Sequence, residues 1–181
     1  MIYLSMKISE SSNLTAEQKE TIFKLWNNEY PVGVSYKSIS ELEDYLSKLK
    51  NQSHYFAIDE NNIIRGWAFT FERDNEKWFA VILDACVQRQ GIGSSLLSHL
   101  KEKETILNGW VADYNKSVKQ NGEIYLSPLP FYLKNNFVVC ENIRMETEKI
   151  SAVKIKWVIE NDSNSNQRDI KEPNESSNRT T

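Results

Sequence analysis

Two glycines one residue apart follow an apolar run in the middle of this chain. The run begins at Val81, and the loop after it extends from Gln88 to Gly93 and contains Gly91. Because the first amides of a helix lack intrahelical acceptors and lie at the positive end of the helix dipole, such a loop is suited to an anion, best a phosphate. Glycines here can also serve only to make the turn, so the loop alone leaves both interpretations open.

Composition limits the class of protein. The chain has 181 residues, of which 40% are hydrophobic and 11% aromatic, so it can form one domain with a sizeable core and a tail. A net charge of -3 argues against a nucleic-acid partner, which would need a basic surface. No segment approaches the ~18 apolar residues of a membrane helix. We therefore expect a cytoplasmic protein that binds neither nucleic acid nor membrane.

The cysteines and histidines are isolated in the sequence. Cys86 and Cys140 are too few for a disulfide framework and have no metal-site spacing, so we expect two buried thiols and no metal site. His54 and His99 have no second ligand at helical spacing. Both are interpreted as ordinary surface histidines or satisfied core histidines.

The first part of the chain predicts a strand and two helices. Apolar residues alternate with mostly polar neighbours over residues 2–8, which is the period of a half-buried strand. A capping box opens a helix at Thr15, and Pro31 ends it. A second helix begins at Ser38 or Ser40, each of which is followed by a glutamate three positions later.

The rest of the chain predicts a strand meander, then alternating helices and strands. We expect residues 115–122 to form an exposed connection, and the polar residues 160–181 to be a disordered tail. A helix follows the glycine loop, and another begins at Ser127-Pro128 and closes at Asn135-Asn136. The expected strands are 55–58, 63–72, 78–87, 106–114, 137–145 and 150–159.

This element order, with two motifs at this spacing, resembles the GNAT superfamily of acyl-CoA-dependent N-acetyltransferases. The loop Gln88–Gly93 matches the family pattern [Gln/Arg]-x-x-Gly-x-[Gly/Ala], and Phe131–Phe137 is similar to its Phe-Tyr-x-x-x-Gly-Phe segment, with Asn136 in place of the usual glycine. The resemblance covers residues 1–159. It implies an α+β fold of three layers, a mixed and mostly antiparallel sheet of about seven strands flanked by helices.

The resemblance also implies a cosubstrate and the residues that hold it. Acetyl-CoA would bind with its pyrophosphate on the loop amides and its pantetheine arm along the fourth strand, where the Leu83 amide is the candidate oxyanion donor. Tyr132 corresponds to the general acid that protonates the departing thiolate. The expected cofactor-binding residues are Ile82, Leu83, Asp84, Gln88, Arg89, Gln90, Gly91, Ile92, Gly93 and Ser94.

The acceptor is less defined than the donor. An unidentified small-molecule or peptide amine is expected, near the loop from Tyr30 to Tyr36. The candidate pocket residues are Glu29, Tyr30, Tyr36, Glu72 and Asp113, and the carboxylates among them, together with Asp84, are the candidate bases. Trp67 and Trp110 could also line this pocket, although core packing is the expected role of both.

Two further possibilities follow from the sequence. The alternative to an enzyme is a catalytically weak or inactive acyl-CoA-binding regulatory module, which the atypical Asn136 and the lack of an obvious base would suit. A homodimer through the final strands is also possible.

Overall fold

The computed structural model describes residues 6–159, so the expected strand positions before Met6 and the predicted tail lie outside the described residues. Seven strands and four α-helices follow one another, with short 3-10 turns at Val32–Val34 and Ala85–Val87. In chain order they are β1 (Lys7–Ser11), α1 (Ala16–Glu29), α2 (Ile39–Ser47), β2 (Lys50–Ile58), β3 (Ile64–Arg73), β4 (Glu76–Leu83), α3 (Ile92–Lys103), β5 (Ile106–Val111), α4 (Leu129–Lys134), β6 (Val138–Glu146) and β7 (Ser151–Val158).

The strands form a single mixed sheet in the order β1-β2-β3-β4-β5-β7-β6. Every neighbouring pair is antiparallel except β4 and β5, which run parallel. Within residues 6–159, the ladder between β4 and β5 consists of the one pair Trp78–Asn108, near the start of both strands. The two strands therefore separate toward their carboxyl ends. The expected seven-stranded, mostly antiparallel sheet is confirmed.

Helices cover both faces of the sheet, which gives the expected three layers. On one face α1 and α2 bury Ile22 and Leu42 against Trp67 and Phe69. On the other face α3 and α4 pack against side chains such as Ala68 and Phe79. Consecutive residues of β3 thus belong to opposite cores, because side chains alternate across a strand. Trp67 is fully buried and stacks on Phe69, so its predicted packing role is confirmed.

Local capping signals in the sequence are reproduced by the structure. The Thr15 hydroxyl accepts from the Gln18 amide and the Gln18 side chain accepts from the Thr15 amide, which is the predicted capping box. Of the two starts considered for the second helix, the structure uses Ser38, whose hydroxyl accepts from the Glu41 amide. Asn136 adopts the left-handed conformation with φ 62°, so the turn after α4 forms without glycine.

Several predicted boundaries were wrong. β4 ends at Leu83 rather than at residue 87, because Asp84 caps a 3-10 turn by accepting from the Cys86 amide. Cys86 is consequently exposed instead of buried, and Cys140 is half-buried on the edge strand β6. In addition, β2 begins earlier than predicted, at residue 50, and β5 ends earlier, at residue 111.

Candidate active site

The separation of β4 and β5 leaves backbone groups of β4 without a strand partner. The Asp84 amide points toward the neighbouring strand β3 and donates to the Arg65 carbonyl at 2.8 Å. Since successive amides of a strand point in opposite directions, the Leu83 amide points away from β3, toward the gap between β4 and β5. The predicted oxyanion donor therefore faces the opening in the sheet.

The glycine loop connects the end of β4 to α3. Gly91 is the N-cap of α3 and has φ 85°, a conformation that glycine adopts without the penalty of a side chain. The first i→i−4 bond of the helix is donated by Ser95 to the Gly91 carbonyl, and no side chain caps the helix start. The amides from Gly91 to Ser94 thus lack intrahelical acceptors, as an anion site requires.

Gly93 brings the two sequence motifs into contact. A Cβ added to Gly93 would lie 3.0 Å from the Phe131 ring and 3.2 Å from the Leu83 side chain. Only a very small residue allows α3 to approach β4 and α4 this closely. The loop motif and the Phe131–Phe137 segment are therefore parts of one site.

Tyr132, the residue after Phe131, lies on the buried face of α4. Its ring is 7% exposed and makes edge-to-face contacts with Phe79 of β4 and with Phe137. Burial, with a smaller contribution from Tyr125, raises the pKa of the Tyr132 phenol above its ordinary value. The phenol is therefore protonated at neutral pH, as a proton donor must be.

Glu29, at the end of α1, joins three segments at the carboxyl end of β4. Its carboxylate accepts from the Ala85 amide at 2.9 Å and from the Gln88 side chain at 3.2 Å. The Lys119 ammonium donates to the same carboxylate at 2.7 Å, and both side chains of this ion pair are largely buried. Residues 115–122 are thus not simply an exposed connection, because Lys119 anchors them to the site.

The Gln88 side chain connects Glu29 to the candidate pantetheine strand. Its amide nitrogen also donates to the Leu83 carbonyl, at 2.9 Å. This carbonyl lies on the same side of β4 as the Leu83 amide, because both groups of a strand residue point the same way. Gln88 therefore acts at the gap through its side chain as well as through its position in the loop.

Aromatic side chains form a cluster between α1 and the loop that follows β5. Trp26 contacts the rings of Tyr30 and Tyr36 at centroid distances of 4.8 and 5.1 Å, and Tyr30 contacts Tyr125 at 6.4 Å. Burial raises the pKa of Tyr30 well above its ordinary value, with smaller contributions from neighbouring phenols that include Tyr132. The structure thus places the predicted pocket residues Tyr30 and Tyr36 in a single aromatic cluster.

The other predicted pocket residues do not join this cluster. Glu72 lies near the opposite end of β3, roughly 20 Å from Gly66, the partner of Leu83. It accepts from Asn51 and lies 3.8 Å from the Lys77 ammonium. The strand thus carries Glu72 away from the gap, and a pocket role for it stays a prediction that this position does not favour.

Asp113 and Asp84 are both held by arginines. Asp113 follows β5 and receives two bonds from the Arg144 guanidinium, which lowers the pKa of the carboxyl. Partial burial works to raise the pKa of Asp84, but bonds from the Cys86 amide and Arg65 outweigh it and lower that pKa. Neither carboxylate is suited to accept a proton at neutral pH.

Lys119 and Tyr125 are site residues that the sequence did not indicate. Both lie between β5 and α4, where no hydrophobic period identifies an element. Their positions depend on contacts with α1, which is distant in sequence.

Within residues 6–159, no cluster of three histidine, cysteine or acidic side chains is arranged to hold a metal ion. In the same range, no helix has the length and apolar character of a membrane span.

Comparisons with known proteins agree with this geometry. The family model of the acetyltransferase (GNAT) domain matches residues 50–139, which include β2 to α4 and both motifs. A search of curated protein sequences finds no significant match.

Solved structures share the fold. An aminoglycoside 6'-N-acetyltransferase complexed with coenzyme A superposes with a TM-score of 0.63 at 12% identity, covering 84% of this chain and 97% of that chain. The phosphinothricin acetyltransferase of Sinorhizobium meliloti, in complex with acetyl-CoA, gives 0.60 at 12% identity and covers 86% and 89%. The spermidine/spermine N-acetyltransferase of Vibrio cholerae gives 0.58 at 15% identity and covers 84% and 92%.

These low sequence identities establish only that the fold is shared. The match to the domain model identifies the sequence family. The sheet order, the separated β4 and β5, and the glycine loop opening α3 are consistent with both. The chain therefore belongs to the GNAT superfamily of acetyltransferases, whose members are N-acetyltransferases that use acyl-CoA.

Proposed function

We propose that this protein transfers the acetyl group of acetyl-CoA directly to a primary amine. The observation that carries the proposal is the arrangement around the end of β4. The Leu83 amide faces the gap, the free amides from Gly91 to Ser94 follow on the same connection, and the Tyr132 ring packs against the same strand. This arrangement supports a donor with its pyrophosphate on the loop and its thioester in the gap.

The proposed reaction is a direct transfer. The neutral amine attacks the thioester carbon, a C–N bond forms, and the carbonyl oxygen gains negative charge that the Leu83 amide stabilises. Collapse of this intermediate breaks the C–S bond, and the Tyr132 phenol donates its proton to the departing thiolate. Since Glu29, Asp84 and Asp113 are each paired with a cation, we assign no protein base. The attacking nitrogen, which becomes positively charged, releases a proton to solvent, and a proton from solvent restores the Tyr132 phenol.

The acceptor class proposed here is a small-molecule or peptide amine. The aromatic cluster of Trp26, Tyr30, Tyr36 and Tyr125 supports a site for it beside the gap. The similar structures include an aminoglycoside 6'-N-acetyltransferase and a spermidine/spermine N-acetyltransferase, whose named acceptors are amines. A cytoplasmic location and a homodimer through the final strands stay predictions.

The donor site is tested with a matched pair of glycine variants. Gly91 and Gly122 have nearly the same positive φ, 85° and 83°, and an added Cβ meets no atom within 4 Å at either position. Isothermal titration calorimetry with acetyl-CoA should show binding to the wild type, weakened about tenfold in Gly91→Ala and unchanged in Gly122→Ala. An absence of binding to the wild type at millimolar acetyl-CoA would contradict the proposal.

The transfer is tested separately, by release of free thiol from acetyl-CoA in the presence of a panel of primary amines. Amine-dependent release, with the acetylated amine identified by mass spectrometry, is the expected result. If acetyl-CoA binds but no amine of a broad panel is acetylated, the protein is an acyl-CoA-binding regulatory module instead.

A further inference from the structure

A groove of about 630 Å³ lies on the outer face of α1, bounded by the α1–α2 loop and the turn between β6 and β7. We call it the α1 groove. Its charged lining residues are Lys24, Lys37 and Lys149, and it is lined by no aspartate or glutamate. A volume of this size is typical of sites for small molecules.

The charge of the α1 groove differs from that of the whole protein. The chain has a net charge of -3, yet three exposed lysines and no acidic residue line this groove. Within residues 6–159, none of the three forms an ion pair, whereas five other lysines do. Because like charges repel, three free ammonium groups around one concave surface favour an anionic occupant.

Contacts between α1, the α1–α2 loop and the β6–β7 turn fix the shape of the groove. The buried Asn27 side chain donates to the Tyr36 carbonyl and accepts from the Tyr36 amide, both at 2.9 Å. Gly33 lies so close to the turn that an added Cβ would be 2.7 Å from the Lys149 carbonyl oxygen. The walls of the groove are therefore formed before any ligand arrives, which reduces the entropy cost of binding.

Tyr36 belongs both to this groove and to the aromatic cluster of the proposed acceptor site, but the groove lies outside the acetyl-transfer gap, on the other face of α1. Ile22, Leu25 and Trp26 form the buried face of α1 toward the sheet, while Lys24 and Asn28 lie on the opposite side of the helix and line the groove. Its occupant thus approaches α1 from outside.

We propose that the α1 groove binds a small multivalent anion, carrying two or more carboxylate or phosphate groups, between Lys24, Lys37 and Lys149. Charge-assisted bonds from three separate chain segments match such a ligand better than a single charge. The proposal does not depend on acetyl transfer.

The test uses citrate and inorganic pyrophosphate as probes of the full chain. Calorimetry should detect at least one of them, with affinity that falls as salt increases. The variant Lys24→Gln/Lys37→Gln/Lys149→Gln should weaken binding about tenfold or more. The matched control Lys7→Gln/Lys48→Gln/Lys134→Gln removes the same charge from exposed positions outside the groove and should bind as the wild type does.

Backbone amide NMR shifts locate the probe independently of activity. Shifts at residues 24–37 and 149 support the proposal, and shifts confined to the glycine loop would overturn it. Equal weakening by the two triple variants, or no binding of either probe at millimolar concentration, would also overturn it. Tighter binding of a hexaglutamate peptide than of both small probes would assign the groove to an acidic protein segment instead.

Discussion

The Lys119 ammonium lies 2.7 Å from the Glu29 carboxylate, and 90 positions of sequence separate the two residues. Their contact joins the end of α1 to the connection between β5 and α4. Glu29 also accepts from the Ala85 amide, just before the glycine loop. One carboxylate thereby ties the proposed acceptor side of the site to the proposed donor side.

Removal of the Lys119 ammonium should destabilise the folded protein. Lys119→Met leaves the largely buried Glu29 carboxylate without its cation, and we expect a loss of about 3 kcal/mol in the free energy of unfolding. The double variant Glu29→Gln/Lys119→Met removes the unpaired charge and should regain most of this loss. Urea denaturation of the wild type, Lys119→Met, Glu29→Gln and the double variant measures both effects. Additive losses in the double variant would show that the two side chains are not coupled.

Loss of the Tyr132 hydroxyl should slow acetyl transfer and leave donor binding intact. Tyr132→Phe keeps the ring that packs on Phe79 but removes the proton donor, so the single-turnover rate should fall about 100-fold. Calorimetry should give an unchanged Kd for acetyl-CoA. Tyr55→Phe, which removes another buried phenol of the same core, is the control and should retain the wild-type rate. An unchanged rate in Tyr132→Phe would exclude this residue as the acid.

The left-handed residue after α4 should tolerate glycine but not alanine. Asn136 has φ 62°, so Asn136→Ala should reduce the free energy of unfolding by about 1 kcal/mol. Asn136→Gly relieves backbone strain but gains entropy in the unfolded chain, and its net change should stay within about 0.5 kcal/mol. Thermal and urea unfolding measure the difference, with the exposed helical change Lys134→Ala as control. Equal losses in both Asn136 variants would implicate the asparagine side chain rather than the backbone.

A buried histidine should make stability depend on pH. His54 is 2% exposed and its Nδ1 accepts from the Trp67 indole, and burial lowers its pKa from 6.5 to about 4. Because the unfolded chain binds a proton more readily, the full contribution to stability exists above pH 6.5 and is lost as the pH falls toward 4. The loss amounts to about 3 kcal/mol.

Urea denaturation between pH 7.5 and 4 tests this dependence. In His54→Gln, which retains a hydrogen-bond acceptor but does not titrate, the part of the pH dependence due to His54 should disappear. The control His99→Gln changes a histidine that is only partly buried and should keep the wild-type profile. A wild-type profile in His54→Gln would contradict the assignment.

Features that depend on neighbouring residues were predictable from the sequence. The capping box of Thr15, the glycine loop and the helix that carries Tyr132 each arise from residue types a few positions apart. Hydrogen bonds between side chain and backbone at such short range act before any tertiary contact exists. The family resemblance and the fold followed from these local signals.

The sequence pattern predicted a wrong strand boundary where its only information was that the residues are apolar and therefore buried. The apolar run through Val87 predicts a longer β4, but Val87 is buried in a 3-10 turn, and Cys86 beside it is exposed. An apolar residue shows only that a position is buried, and not which backbone conformation buries it.

By itself, the sequence determined the order of the elements, the caps and the glycine loop, because these depend on short-range chemistry, and the family resemblance implied Tyr132 as the candidate acid. Only the tertiary structure decided that β4 and β5 separate where the Leu83 amide faces the gap. The fold likewise brought Lys119 to Glu29 and placed Glu72 at the end of β3 that is remote from the gap. The physical reason is that these contacts join segments that are far apart in the sequence. They depend on how the sheet and α1 pack, and the spacing of neighbouring residues carries no information about that packing.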